Sequence, residues 1–384
     1  MQLILDFLSY YWSYTTGVLF QFVSPKHRIY FVYIATSVLV AFVIYQMHRK
    51  KGTGGQDAQG SFLSFLFPKS VWQHPSAWLD LRYFVFHKLI GHFLLFGLLA
   101  VISATCFRWI TGESMTDIPA NTGASTSLML TVGYMLVTIL VADLIGYIVH
   151  YLQHKVPILW EFHKVHHSAE VMHPISNYRE HPVDNLSYSL CIGVGYGAVI
   201  GVSYNLIGYL PNTPTILGVP LLMFLFNIAA YNLRHSHIWL RWPGRWSMVF
   251  PSPAHHHVHH SCHPEHFDKN FAFMFPLWDV VFGTYTMPDD NRDVKFGVAG
   301  MKSMEMDTCW KLYAVPFVKA GKRLRKSFRT QSGKQAKTGQ HHAQTKGDQP
   351  AVGLSLCRAD GLDRLKNDGN RTGIPHQNGN CAGG

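Results

Sequence analysis

The chain has 384 residues, of which 48% are hydrophobic, 14% aromatic and only 14% charged. Soluble domains carry about 25% charged residues, so this composition excludes an ordinary water-soluble globule and points to a membrane protein. The formal charge of +11 fits nucleic acid or anionic lipid, and beside several apolar spans it implies the lipid surface and no nucleic-acid partner.

In chain order, residues 3–23 (LILDFLSYYWSYTTGVLFQFV) are apolar and aromatic but have neither a basic stretch before them nor a small-residue cleavage site after them. They read as an interfacial or weakly spanning helix, not as a signal peptide. Residues 29–47, 84–105 and 127–149 each supply the ~20 apolar residues that cross a bilayer. Residues 186–209 and 214–233 read as a hairpin of two spans, bent at Pro211 and Pro214. The run His48-Arg49-Lys50-Lys51 places the end of the 29–47 span in the cytoplasm, and Lys311, Lys319, Lys322, Arg323, Arg325, Lys326 and Arg329 agree. Lys26 and Arg28 fall on the opposite side and run against that orientation. On this topology residues 150–181 and 235–266 share the cytoplasmic face. The expected fold is therefore all-α, a multi-pass transmembrane helical bundle with a cytosolic histidine-rich helical cap. Residues 1–60 form an N-terminal membrane segment and linker, 61–290 a membrane-embedded catalytic domain and 291–330 a basic cytosolic segment. Residues 331–384, rich in Gly, Gln and Asn, form a tail expected to be disordered.

Histidine is the compositional outlier, with 24 copies, 16 of them between His150 and His266. His150 and His154 lie four apart at the end of a span, on one helical face. His163, His166 and His167 repeat that logic at i, i+3 and i+4, as do His256, His259 and His260. His255 and His257 flank the last group and leave its register open. These eight imidazoles suffice for two metal ions with positions left open. His181 and His235 raise the number to ten, with His237 a rival to His235. His173, His255, His257, His263 and His266 read as surface residues, His87 and His92 as packing or interfacial groups, and the His341-His342 pair as tail.

Asp143 is a carboxylate inside an apolar span, a costly placement that usually serves function. It shares a face with Tyr147, His150 and His154 but lies about 10 Å deeper than His150 at 1.5 Å rise per residue. Its expected role is to accept an N–H from a histidine of another helix and fix the tautomer of that ring. The six cysteines form no CxxC pair and suggest neither a disulfide framework nor a zinc ribbon.

At these residues the sequence resembles the fatty acid hydroxylase superfamily, also called the sterol desaturase family, over about residues 70–290. The resemblance is carried by Asp143-x-x-x-Tyr147-x-x-His150-x-x-x-His154, by Trp160-Glu-Phe-His163-Lys-Val-His166-His167-Ser and by Tyr178-Arg-Glu-His181-Pro-Val-Asp. It continues through Arg234-His235-Ser, Pro253-Ala-His-His256-His-Val-His259-His260-Ser, Asn270-Phe and Pro276-Leu-Trp278-Asp279-Val-Val-Phe282-Gly283-Thr284. It implies a membrane enzyme with a cytosolic dimetal site of two iron ions, which uses O₂ and two electrons to hydroxylate or desaturate a lipid. It also implies His150, His154, His163, His166, His167, His256, His259 and His260 as ligands, His181 and His235 as additional ones, and Asp143, Tyr147 and Asp279 as residues behind them. From physics alone Trp278, Asp279, Phe282 and Gly283 are packing and a turn.

The chain carries no dinucleotide fingerprint, no CxxCH and no cysteine set for an iron–sulfur cluster. A separate electron donor is implied, of the ferredoxin or cytochrome b₅ type with its reductase. Three rivals fit less well. A zinc-dependent membrane hydrolase needs three protein ligands and a general base, and HExxH is absent. A histidine-rich metal-ion transporter places its ligands near mid-membrane, and a haem cytochrome wants isolated pairs inside the bilayer. No dilysine signal ends the chain, which favours a bacterial inner membrane over endoplasmic reticulum.

Overall fold

The computed structural model describes residues 2–52, 60–95, 97–118, 127–229, 231–289 and 294–344. Helix α1 (Gln2–Leu19) leads through a short turn into α2 (Phe31–Lys51), which ends on Gly52 in the left-handed conformation. Three further helices follow: α3 (Phe62–Leu66), α4 (Lys69–Trp72) and α5 (Pro75–His87). Proline opens α5 at its first turn, where its missing N–H costs nothing. The chain continues into a single π-helical turn, Lys88–His92, and then α6 (Leu98–Thr111). The expected span 84–105 is thus two helices, because Gly97 takes a positive φ of 79° and breaks the run.

Helix α7 (Leu128–Lys155) starts on the Ser127 hydroxyl, which accepts the Leu130 N–H, and stops where Pro157 forbids its continuation. That proline begins α8 (Pro157–His167), so the two helices meet at a bend. After a 3₁₀ segment, Pro174–Tyr178, comes α9 (Pro182–Ile207). Among the described residues three helices, α2, α7 and α9, are long and apolar enough to cross a membrane. The second arm of the expected hairpin is different. Residues 215–220 make a two-stranded turn of β1 (Thr215–Ile216) and β2 (Val219–Pro220), and α10 (Leu221–Ile228) has only eight residues. At 1.5 Å per residue it covers about 12 Å, far short of a bilayer.

The glycines of α9 explain its packing. A Cβ on Gly197 would fall inside contact distance of the Ser103 carbonyl oxygen, and Cβ atoms on Gly193 and Gly201 would meet Ile102 and Ile110 at 3.0 and 3.2 Å. A small-residue stripe therefore lets α9 and α6 approach backbone to backbone.

A 3₁₀ segment, Tyr231–His235, precedes α11 (Trp246–Val249), α12 (Pro253–His259) and α13 (Leu277–Val281). The last helix, α14 (Cys309–Gln344), continues well past residue 330. Residues 331–344, expected to lack structure, extend it with good helix formers (Lys, Gln, Ala). Residues 345–384, the rest of the expected tail, lie outside the described residues. Helix α14 lays Leu312 against Leu79 and Tyr83 of α5 and Val165 of α8 in one buried cluster. A second cluster joins Ala41, Ile44 and Tyr45 of α2 to Leu233 and Ile238. The basic end of α2 thus lies beside the segment that carries His235.

Candidate metal centre

The end of α7 and the whole of α8 bring His150, His154, His163 and His167 together, and α12 adds His259. Their ring nitrogens lie within 4.8 Å of one another. A second set of the same compactness holds His166 from α8, His235, and His256 and His260 from α12. The sets adjoin, with the rings of His167 and His260 stacked at 4.4 Å between centroids. Each set is closed by a histidine from the other half of the sequence: His259 in the first, His166 in the second.

All these residues are buried except His154, which is partly so. Burial pushes His163, His167, His235, His256, His259 and His260 well below the ordinary value of 6.5, and His166 down to about 4. The rings are neutral at pH 7 and present lone pairs, as metal ligation requires. Neutral imidazole has one donor and one acceptor nitrogen, and here the Nε2 atoms of different rings face one another. The Nε2 atoms of His154 and His167 are 3.1 Å apart, and His256 Nε2 lies 2.8 and 3.0 Å from those of His235 and His260. Nε2 of His150, His163 and His259 is buried with no hydrogen-bond partner among the described residues. Nitrogens at about 2.1 Å from a common cation sit about 3.0 Å apart when adjacent and about 4.2 Å when opposite. The donor set therefore fits two metal ions.

The far nitrogens are held by the surrounding shell. His150 Nδ1 donates to the Phe271 carbonyl at 2.8 Å, and His259 Nδ1 to that of Lys269 at 2.9 Å. Both bonds fix the tautomer that leaves Nε2 free. Ser176 Oγ lies 3.0 Å from His235 Nδ1, whereas His163 Nδ1 makes no hydrogen bond among the described residues and has the Asp184 carboxylate 3.4 Å away. His256 is the exception. Its Nδ1 accepts from Arg234 at 3.1 Å, which puts the ring proton on Nε2; a metal on that atom requires the proton to leave.

The ten sequence candidates divide cleanly. Nine enter the two sets; His181 enters neither. It caps α9, its Nδ1 accepting the Val183 N–H at 3.1 Å, and its Nε2 donates to the Tyr313 carbonyl at 3.1 Å. The adjacent Pro182 fixes the helix start, so the ring serves as a cap. The register of the third cluster is set by a capping box in which Ser252 and His255 bond reciprocally, turning His256, His259 and His260 inward. His257 donates to the Leu233 carbonyl at 3.2 Å, and His237, the rival of His235, to that of Phe65 at 2.7 Å. His173, His255, His257 and His266 are buried, not surface residues: besides the bonds of His255 and His257 just given, His173 bonds Asp80 at 3.0 Å and His266 bonds Ser261 at 2.9 Å.

Asp143 differs from expectation. It touches no histidine, and instead accepts the Met274 and Phe275 amides and the Trp278 indole at 2.8, 3.0 and 3.0 Å. Its depth below His150 is what places it under this loop. Asp279 accepts the amides of Phe271 and Ala272 at 2.8 and 2.9 Å and the Thr284 hydroxyl at 2.7 Å. Tyr147 meets that same hydroxyl at 2.9 Å. These three residues hold the 270–285 segment, which in turn supplies the Phe271 carbonyl to His150.

Sequence reasoning missed a buried network on the other side. Asp80 of α5 binds both Arg179 and His173, and Arg179 reaches Ser168 at 3.2 Å and the Ser76 carbonyl at 2.9 Å. It braces the Pro174–Tyr178 segment that presents Ser176 to His235. Nothing in the spacing of an isolated Asp and Arg, 99 residues apart, announces this pairing. An apolar cavity of about 510 Å³ adjoins the second set, lined by Leu222, Phe226, Trp246, Pro253 and Met274, with Arg234 on its wall.

Residues 135–284 match the fatty acid hydroxylase family, a stretch containing all nine converging histidines. The chain is 29% identical over 153 residues to alkylglycerol monooxygenase of Danio rerio, covering 38% of this chain and 29% of that protein. It is 26% identical over 166 residues to the ornithine lipid hydroxylase OlsE of Rhizobium tropici, covering 42% and 44%, respectively. With human cholesterol 25-hydroxylase it shares 26% over 206 residues, 51% of this chain and 65% of that one. The chain thus spans under half the length of the first two. No solved structure matches it.

Proposed function

The chain belongs to the fatty acid hydroxylase/sterol desaturase superfamily, and from that premise we propose that it is a membrane-bound non-haem di-iron oxygenase. It hydroxylates or desaturates a lipid of sterol or fatty-acyl type with O₂ and two electrons. One observation carries the reading: nine histidines, all but His154 fully buried, gathered in two adjoining sets with ring nitrogens turned toward one another. A structural zinc site takes four ligands, so a set of five favours an ion of higher coordination such as iron.

His150, His154, His163, His167 and His259 would hold one ion, and His166, His235, His256 and His260 the other. When bound, the pair supplies the O₂ activation that attacks an unactivated C–H bond, chemistry no side chain can perform. The protein's own part is positional. The Phe271 and Lys269 carbonyls fix His150 and His259, Ser176 steadies His235, and burial keeps water from the reacting atoms. The apolar cavity beside Arg234 suits a hydrocarbon chain but offers no free cation. Phe226, Tyr231 and Phe273 surround that guanidinium at 5.0–6.0 Å, and it is already bonded to the Phe273 carbonyl and His256.

Electrons come from a separate protein of the ferredoxin or cytochrome b₅ type. The site faces the cytoplasm, a reading supported by the packing of the basic end of α2 against Leu233 and Ile238. Residues 61–290 constitute the catalytic domain.

The test is elemental analysis of detergent-purified protein from iron-supplemented cells, followed by O₂-dependent lipid oxidation with a chemical reductant. About two irons per chain and an oxidised lipid are expected. Folded protein that retains no metal refutes the reading, and one zinc with hydrolytic activity replaces it.

A further inference from the structure

A second polar cluster stands apart from the histidine sets, at the π-helical turn Lys88–His92. Such turns are rare and gather at functional sites. Lys88 is only 5% exposed. Its ammonium lies 5.0 Å above the Tyr178 ring and has no hydrogen-bond or ion-pair partner among the described residues. Beside it, Arg28 reaches Glu180 at 3.5 Å and lies over the Tyr231 ring at 5.9 Å. The other oxygen of Glu180 accepts from Asn185 at 2.7 Å. His27 and His92 stand within electrostatic reach of Lys88. Arg28 takes the carboxylate of Glu180, and the ammonium of the almost fully buried Lys88 is left without a hydrogen-bond or ion-pair partner among the described residues. An unpaired buried charge is costly and is normally met by a partner.

We propose that Lys88 and Arg28 receive the anionic head group of a lipid, a phosphate or carboxylate. The surroundings favour a lipid over a free anion, because Phe20, Phe22 and Phe31 expose 64%, 54% and 45% of their surface on the stretch of chain around Arg28. The cluster is also next to the metal centre: the Arg179 carbonyl, one residue before Glu180, faces the His166 ring. A head group held here leaves its chain beside the second histidine set. Calling the occupant a substrate rests on the oxygenase reading; the binding itself does not.

The experiment is binding of dioctanoyl phosphatidylglycerol to the full-length protein in detergent, read as a rise in thermal midpoint. Dioctanoyl phosphatidylcholine and inorganic phosphate are run alongside, with Lys88→Gln and Lys88→Met as variants. Removing an unpaired buried cation should leave folding intact, and elution profile and metal content confirm it. Phosphatidylglycerol is expected to bind more tightly than phosphatidylcholine, and both variants to lose at least tenfold in affinity for it alone. Equal binding by the variants, or no preference for the anionic lipid, overturns the proposal. Inorganic phosphate binding as tightly as the lipid overturns the lipid assignment. Iron-loaded protein with no Lys88 dependence removes this site and spares the oxygenase. Lys88-dependent binding by protein that never takes up metal does the reverse.

Discussion

Asp279 controls the orientation of His150 without touching it. The carboxylate accepts the Phe271 amide at 2.8 Å, and the carbonyl of the same residue accepts His150 Nδ1–H at 2.8 Å. One peptide thus relays the position of an acid on α13 to the His150 ring on α7, a proposed ligand. Asp279→Asn places an NH₂ group where only acceptors are wanted. Leaving a buried amide unpaired costs about 1–3 kcal/mol, and loss of such outer support typically weakens metal binding about 10–100-fold. Metal retention during titration with a chelator checks this; an unchanged retention curve would show that the relay carries no weight.

His166 and His181 test the proposed division between metal ligands and helix cap. His166→Ala should empty the second set, read as a lower metal-to-protein ratio in protein that still reaches the membrane. His181→Ala should keep the full metal content and lose only the cap, about 1 kcal/mol of stability. Elemental analysis beside thermal unfolding distinguishes them, and metal loss in the His181 variant would return it to the ligand set.

Gly197 and Gly146 test the packing of the membrane helices. A methyl on Gly197 collides with the Ser103 carbonyl, whereas one on Gly146 meets nothing within 4 Å. Gly197→Ala should destabilise by about 1–3 kcal/mol through overpacking. Gly146→Ala should be neutral or slightly stabilising, since it removes a mid-helix glycine. Equal thermal midpoints for the two variants would contradict the close approach of α6 and α9.

Glu180 gives a pH signature. Burial raises its carboxyl, but Arg28, His166, the Asn185 hydrogen bond and His87 outweigh that and hold it at about 2. The folded value lies below the unfolded one of about 4.3. The group therefore contributes stability above pH 4.3 that fades as pH falls toward 2. Glu180→Gln should lower the thermal midpoint at pH 7, and the gap should shrink by roughly half at pH 3. Lys88 lies beyond ion-pair distance but feels the charge of the same carboxylate, and acts in the same direction. A gap that widens on acidification would reverse the assignment.

Much of the site was legible because its chemistry is local. Pairs at i, i+3 and i+4 must share a helical face, so the HxxxH and HxxHH patterns named eight of the nine converging histidines, and the Arg-His-Ser motif named His235. His181 misled because a histidine before proline is equally suited to capping a helix, and spacing cannot tell the roles apart. Asp143 was rightly singled out as a buried carboxylate, but its partners are backbone amides 131 and 132 residues away, a relation that no periodicity encodes. The Asp80–Arg179–His173 network was invisible for the same reason. Among the spans, residues 29–47 and 127–149 stood out by length and hydropathy. Residues 84–105 and 214–233 did not hold as single helices, because Gly97 breaks the first and the second folds into a short turn and an eight-residue helix.

The exchange of His166 and His259 between the two sets has a consequence for biogenesis. Neither set is complete on a nascent chain that ends before α12, since the first waits for His259 and the second for His256 and His260. Nor can α12 assemble a set alone, because it waits for His166. Each site is a lock that opens only to a key cut from the opposite half. Full metal loading therefore certifies that the two halves have docked in the right register, and a chain misassembled in the membrane would betray itself by retaining less metal, a mark that quality control could read.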